Sequence, residues 1–501
     1  MRWTTCVVRR QTLSLGIIVA WAVLTTACAL PTSAAGTNAR PVGQLPDSAG
    51  QRLRIEAVST DGAHILLTKA GSSPGESLWA LDTMTGTSRQ LAPLAVAGRY
   101  GQSPAGDWAA WATRSGARSC AAGRVDVART DGSEPPRTLA LPRAYARSYV
   151  NGVTIGAGGR VTVRVGRCDE GREPGGSDNR AILTADPGSA RLRVLARSRS
   201  SFSQWPVSQD GRVFALCRRA KTAGGRAGAE LTVVDSDPVL KVSSARLASN
   251  DEQLWPACVA SDAGTATMTV IRRRPGAPAR TLRDYRIAGV TVGGGRSPSF
   301  MLPYGVAIPN SGLEAASPSG HEVVTGYFDT TAIVIQTRTG RHSRPYRTPT
   351  DGFTGTSAFG GRYVGGQPLL AWDPFAPAIV SLGTQGIQRA YRVRVFNPHS
   401  LKSSRPTNVP GDPLHDYSSV CFLPSGRVLF EVRRDGGTAP SQLLVSDAQR
   451  SRFTKLDAGR VGTVSSVSCD AAAAGKVFAA TAGSGLVYEV AANTIDGSPL
   501  Q

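Results

Sequence analysis

The chain has 501 residues, with 57 Lys and Arg against 36 Asp and Glu, a formal net charge of +21, 56 glycines and only 19% charged residues. Low charge, abundant glycine and scarce helix-periodic stretches argue against a helical protein and for an all-β chain. A chain this long would usually hold several domains, yet an array of repeats grows without enlarging any single core, so one large domain is expected.

The first elements are not part of the fold. Arg2, Arg9 and Arg10 form a basic head, and Leu13 to Leu24 form an apolar run too short to span a bilayer comfortably, the pattern of an export signal over 1–29. Arg9-Arg10 also allows a twin-arginine reading, although Thr12 stands where an apolar residue would follow. Leu24-Thr25-Thr26-Ala27-Cys28 resembles a bacterial lipobox, which makes Cys28 the lipid attachment site; Thr25 departs from the usual apolar residue there. Ala27-Cys28-Ala29 also fits an ordinary signal peptidase site. Either outcome puts the body outside the cytoplasm, and 30–49 is read as a flexible linker ahead of a single domain over 50–501.

From Ile55 onward a glycine turn followed by an apolar strand returns at intervals of about fifty residues, the period of a β-propeller blade. The clearest unit runs from Ile55 through Asp61-Gly62 to Leu78-Trp79-Ala80-Leu81-Asp82 and Arg89-Gln90-Leu91. Its turn recurs as Ser103-Pro104-Ala105-Gly106, Gly158-Gly159, Ser208 to Gly211, Ser261 to Gly264, Ser317 to Gly320, Asp373 to Pro377, Pro424 to Gly426 and Ala474-Gly475. Nine windows fit. Propellers typically hold roughly four to eight blades. The expectation is therefore eight four-stranded blades, or seven, with one window a drifted unit or a half blade completed by the other chain end. Gly289 to Gly312 fits least and reads as an insertion between blades.

The Ser-Pro-x-Gly turn and the Leu-Trp-x-Leu-Asp…Thr-Gly…Arg-x-Leu tail resemble the TolB-type, WD-like propeller repeat, over nearly the whole chain after the leader. With the leader, the chain looks like an exported bacterial lipoprotein of actinobacterial type. The resemblance implies the repeat fold and nothing narrower; no domain like the one ahead of the TolB propeller fits before the first blade.

Six cysteines remain in the body, an even number in an exported chain. Cys421 and Cys469 lie on corresponding strands of successive blades, while Cys217 and Cys258, and Cys120 and Cys168, are each about one blade apart. Three sequential disulfides are expected, each contributing about 2–4 kcal/mol.

A basic residue recurs seven or eight positions after the turn glycine at Lys69, Arg114, Arg167, Arg218 with Arg219, Arg272 with Arg273, and Arg433 with Arg434. In a propeller that offset is the exit of the second strand, so the cations gather on one face as a candidate rim for an anionic ligand. Polar residues that merely end strands would give the same pattern.

Catalytic readings are weaker. Gly71-Ser72-Ser73-Pro74-Gly75 has no helix after it, and the histidines His64, His321, His342, His399 and His415 are scattered without ligand spacing. Asp61, Asp210, Asp262 and Asp373 sit in turns, where bonds to the backbone account for them. No catalytic residue, cofactor or metal is therefore assigned. The first expectation is a non-catalytic, lipid-anchored, monomeric binding propeller that takes an anionic envelope component or an acidic protein, without specific nucleic-acid recognition. A secreted propeller hydrolase or lyase acting on polysaccharide, and a sensor subunit of a membrane complex, are the alternatives.

Overall fold

A computed structural model describes residues 39–491, apart from stretches of which the longest is 348–368; the expected export signal and Cys28 lie outside the described residues. The chain folds as an all-β propeller. Among the described residues there is no α-helix, only two short 3-10 turns at Arg143–Tyr145 and Ala472–Ala474.

The first sheet shows why the sequence folds this way. Leu53–Val58, His64–Ala70, Glu76–Asp82 and Ser88–Ala95 pair in order, each antiparallel to the next. Successive side chains on a strand point to opposite faces, yet Ile65, Leu66 and Leu67 are all fully buried. Both faces are covered: Ile65 and Leu67 pack with Phe478, Ala480 and Val487 of the last sheet, while Leu66 packs with Ala109 and Trp111 of the second. A continuous apolar run, rather than strict alternation, is what a blade sandwiched between two others requires.

Nine antiparallel sheets follow, one for each glycine window, at 53–95, 100–139, 148–197, 213–248, 257–302, 313–347, 369–408, 415–456 and 464–491, with three described strands in the fourth and five in the seventh. The turn joins the first strand to the second, and in the fourth sheet it precedes the first described strand, Val213–Lys221. Cores between neighbours continue around the series, with Val125 and Val127 against Val150 and Val163, Ile182 against Phe214, Leu231 against Met268, and Leu443 and Val445 against Val477.

Three expectations need correcting. Nine sheets form among the described residues, not eight or seven, because every window, even the divergent Asp373 one, builds a sheet of its own. The ninth window supplies only three strands, and Ala39–Gln44 adds the fourth by pairing with Leu486–Ala491. The stretch read as linker therefore contains a strand, with Val42 and Leu45 buried against the ninth and first sheets. Gly289 to Gly312 is likewise not wholly an insertion: Arg283–Thr291 and Phe300–Leu302 are the third and fourth strands of the fifth sheet.

The seams are built from the repeated turn. In the first sheet the Ser59 hydroxyl accepts the His64 amide at 2.9 Å, and the Gly62 amide donates to the Ser59 carbonyl at 2.8 Å. Ser103 with Trp108, Ser208 with Val213 and Ser317 with Glu322 repeat the serine bond. Across the seam, the Thr60 amide donates to the Pro104 carbonyl of the next turn at 2.9 Å, and Ala263 to Pro318 at 3.0 Å. The Ser59 hydroxyl and the Ala63 amide together hold the Asp61 carboxyl below its ordinary value.

Candidate anion-binding face and an inner-strand arginine pair

All nine rim candidates lie at or near the ends of the strands that follow the glycine turns: His64–Ala70, Trp108–Arg114, Val161–Arg167, Val213–Lys221, Thr265–Arg273 and Val428–Arg434. These strands occupy corresponding places in sheets that repeat one antiparallel order, and five of the six sheets are consecutive. Lys69 Nζ donates to the Pro46 carbonyl at 3.2 Å. Arg218 donates to the Arg197 carbonyl at 2.6 Å and to Glu230 at 3.1 Å, so part of its charge is matched inside its own sheet. Register also sets Asp284 opposite Arg272 and Asp416 opposite Arg433. The side chains of Arg114, Arg167, Arg272, Arg273, Arg433 and Arg434 lie outside the described residues.

A second basic feature was not singled out from the sequence. Arg99 immediately precedes the first strand of the second sheet, Tyr100–Gln102, and Arg164 lies on the second strand of the third sheet, three residues before Arg167 and on the opposite face of the strand. The first strand of the third sheet, Ser148–Ile155, carries a bulge at Asn151, so Gly152 rather than Asn151 stands opposite Arg164. A side chain at Gly152 would place its Cβ 2.9 Å from Arg164 Nε and 3.0 Å from Cζ, so the absent side chain is the space the guanidinium fills. Arg99 donates to the Tyr149 hydroxyl at 2.8 Å, with its Cζ 5.2 Å from that ring's centroid, and to the Gly98 carbonyl at 3.1 Å. Desolvation, then the neighbouring Arg99 charge, bring the Arg164 pKa down to about 10. The only sequence signal was the polar run Tyr149-Val150-Asn151-Gly152 inside an otherwise apolar strand.

Two of the expected disulfides join neighbouring sheets. Cys217–Cys258 ties the fourth to the fifth with Cα atoms 6.0 Å apart, and Cys421–Cys469 ties the eighth to the ninth at 5.5 Å. Cys120 and Cys168 lie outside the described residues, as do Ser73 and Asp210. His321 and His399 are exposed, His64 opens a strand, and His342 places Nδ1 3.0 Å from the Ser343 carbonyl. Asp373 does more than bond to the backbone: besides accepting the Phe375 amide at 2.8 Å, it forms a buried ion pair with Arg450 of the eighth sheet. Arg450 also donates from Nε to the Gly426 carbonyl at 2.7 Å. The buried carboxylates Asp126 and Glu230 are held by donors of their own sheets, Thr113, Arg124 and Thr138 for the first, Arg218 and Arg246 for the second. Among the described residues no three His, Cys, Asp or Glu side chains group so as to hold a metal ion, and no helix is long and apolar enough to cross a membrane.

No family model matches the sequence, and no match is found among curated proteins. Similar solved structures include the β-propeller domain of Cps50 (Swd1) from Myceliophteria thermophila, 9% identical, covering 90% of this chain and 98% of that one with a TM-score of 0.36. The computationally designed Ika8 protein is 13% identical, covering 91% of this chain and all of that one (100%), with a TM-score of 0.43. A structure from a study of two prolyl endopeptidases is 13% identical over 78% of this chain at a TM-score of 0.38, and the match spans 56% of that chain.

Proposed function

We propose that this chain is a non-catalytic, TolB-like binding propeller that works outside the cytoplasm, anchored through Cys28, and takes an anionic envelope polymer or an acidic protein on the face where the second strands end. The observation that carries this reading is the basic residue at that strand end in six sheets, five of them consecutive. Cations repeated from sheet to sheet suit an extended polyanion, because each contact is weak in water and the sum is not. Two inter-sheet disulfides fit an oxidising compartment. Of the buried acids, Asp126, Glu230, Asp235 and Asp373 are each paired with a nearby donor, which favours binding over a carboxylate-driven polysaccharide hydrolase or lyase at these residues.

The test replaces Lys69, Arg114, Arg167 and Arg219 together by Gln and measures binding to purified wall polyanion against salt. Affinity at low salt should fall at least about tenfold and the salt dependence should flatten. Unchanged salt-sensitive binding would overturn the rim. Fatty-acid labelling that disappears in Cys28→Ala supports the anchor, and labelling that persists refutes it.

A further inference from the structure

The last strand of a sheet is an edge, and an open edge offers its backbone donors and acceptors to any extended chain. Most of the last strands here are guarded against that. Among the described residues, seven of the nine are only two to six residues long. Ser88–Ala95 is longer, but it contains Pro93 and its pairing with Glu76–Asp82 shifts register twice. Lys241–Ala248, the last strand of the fourth sheet, has neither feature: all eight residues pair with Gly228 to Asp235 without a shift, and none is proline. Its side chains sort by face. Ala245 packs toward the fifth sheet with Cys258 and Met268, so alternation puts Val242, Ser244 and Arg246 on the other side. Lys241, Val242, Ser244 and Arg246 are all exposed, Val242 at 48%, which leaves a large apolar side chain in solvent on an edge. Arg246 meets Glu230 at 3.3 Å, yet its side chain is still 61% exposed. The strand carries two cations and no acid.

We propose that the edge Lys241–Ala248 takes an extended acidic segment of a partner protein as an added antiparallel strand. Main-chain bonds along the edge supply affinity, and the side chains facing each other across the new ladder select the sequence. With full overlap, the added strand sets an acid opposite Arg246, an apolar residue opposite Val242 and a second acid opposite Lys241; opposite charges facing across a ladder attract and like charges repel. The same cations turn away a second copy of this chain. Two such edges overlapped antiparallel bring Arg246 of each diagonal to Lys241 of the other, with no acid on either strand to separate them. Attraction of an acidic strand and rejection of a basic one thus come from the same two residues. This surface is the edge of a single sheet and does not depend on the strand-end rim.

The experiment titrates the protein, purified with its disulfides intact, into a blocked synthetic peptide, Thr-Thr-Glu-Thr-Thr-Thr-Val-Glu, that carries an uncharged dye, and follows fluorescence anisotropy. One control peptide has lysine in place of both glutamates; another keeps the charge but has proline in place of the central threonine. The acidic peptide should bind, and both controls should bind at least about tenfold more weakly, the first because it meets like charge and the second because proline breaks the ladder. Lys241→Glu and Val242→Glu change exposed side chains, so both variants should keep the wild-type melting temperature. Each should weaken the acidic peptide about fivefold or more, and Lys241→Glu should at the same time improve binding of the lysine peptide. The rim variant with four Gln substitutions should bind the acidic peptide within about twofold of wild type, so failure of the rim and failure of this edge give different results. The proposal is overturned if the acidic peptide does not bind, if the proline peptide binds equally well, or if binding is unchanged in both edge variants. Peptide binding lost only in the rim variant would also overturn it, as would a dimer on size-exclusion chromatography that Val242→Glu dissociates, since the occupant would then be a second copy.

Discussion

At the level of single residues, Ser103 and Gly106 show what the repeated turn does. Gly106 has φ of 77°, which alone favours glycine. It is also where the second sheet touches the first, since a Cβ there would lie 2.6 Å from His64 Cβ and 2.8 Å from Ser59 Cβ. Gly106→Ala should therefore cost more than the left-handed backbone term of about 1–2 kcal/mol, and roughly 2–4 kcal/mol once His64 must move. Gly98→Ala is the control, with φ of 66° and open space around it, and should cost only the backbone term. Equal melting temperatures for the two variants would contradict the seam argument. The glycines were legible in sequence because they recur. The serines were read as part of a motif but not as structural bonds, because the amide that each hydroxyl accepts lies across the hairpin. Arg99 and Arg164 were not legible as a pair: they stand in different sheets, and only the bulge at Asn151 puts Gly152, rather than Asn151, under Arg164.

At the level of elements, the joints between sheets are not equivalent. The first seams rest on apolar side chains, whereas the seventh and eighth sheets are joined by the buried Asp373–Arg450 pair, with Arg450 Cζ also 5.7 Å from the Phe422 ring centroid. Asp373 occupies the place of the turn serine, and Arg450 bonds the turn glycine's carbonyl as Thr83, Thr130 and Thr337 do in other sheets. Spacing showed a turn at Asp373, but a partner 77 residues away has no signature in spacing. Arg450→Met strands a buried carboxylate and should cost about 3–5 kcal/mol. Asp373→Ala combined with Arg450→Met should be less destabilised than the single Arg450→Met, since no charge is left buried. Chemical denaturation of the two variants decides this, and additive losses would show that the residues do not act as a pair.

For the whole molecule, closure is the feature that the repeat alone leaves undetermined. Counting windows suggested that chain ends could share a sheet, but the residues doing so, Ala39–Gln44, lie in the stretch whose composition reads as linker, with Arg40, Pro41 and Gly43 among them. They succeed as a strand because an outer edge needs little: Pro41 is tolerated at an edge where a central strand would exclude it, a register shift between Pro41 and Gly43 absorbs the irregularity, and Val42 supplies the buried contact. Arg40 and Glu489 add an ion pair at 2.7 Å, but it is largely exposed and contributes little. Without this strand the edge of Leu486–Ala491 is left open, a template for pairing with another chain. A chain beginning at Asn38 should match the full protein in melting temperature, whereas one beginning at Leu45 should lose roughly 2–4 kcal/mol from the missing edge bonds and Val42 burial. The same shortened chain should self-associate on size-exclusion chromatography, and a synthetic peptide of 38–46 should return it to monomer by occupying the vacant edge. A chain from Leu45 that melts with the full protein would mean that the ninth sheet holds together on three strands and that the N-terminal strand is not what closes the ring.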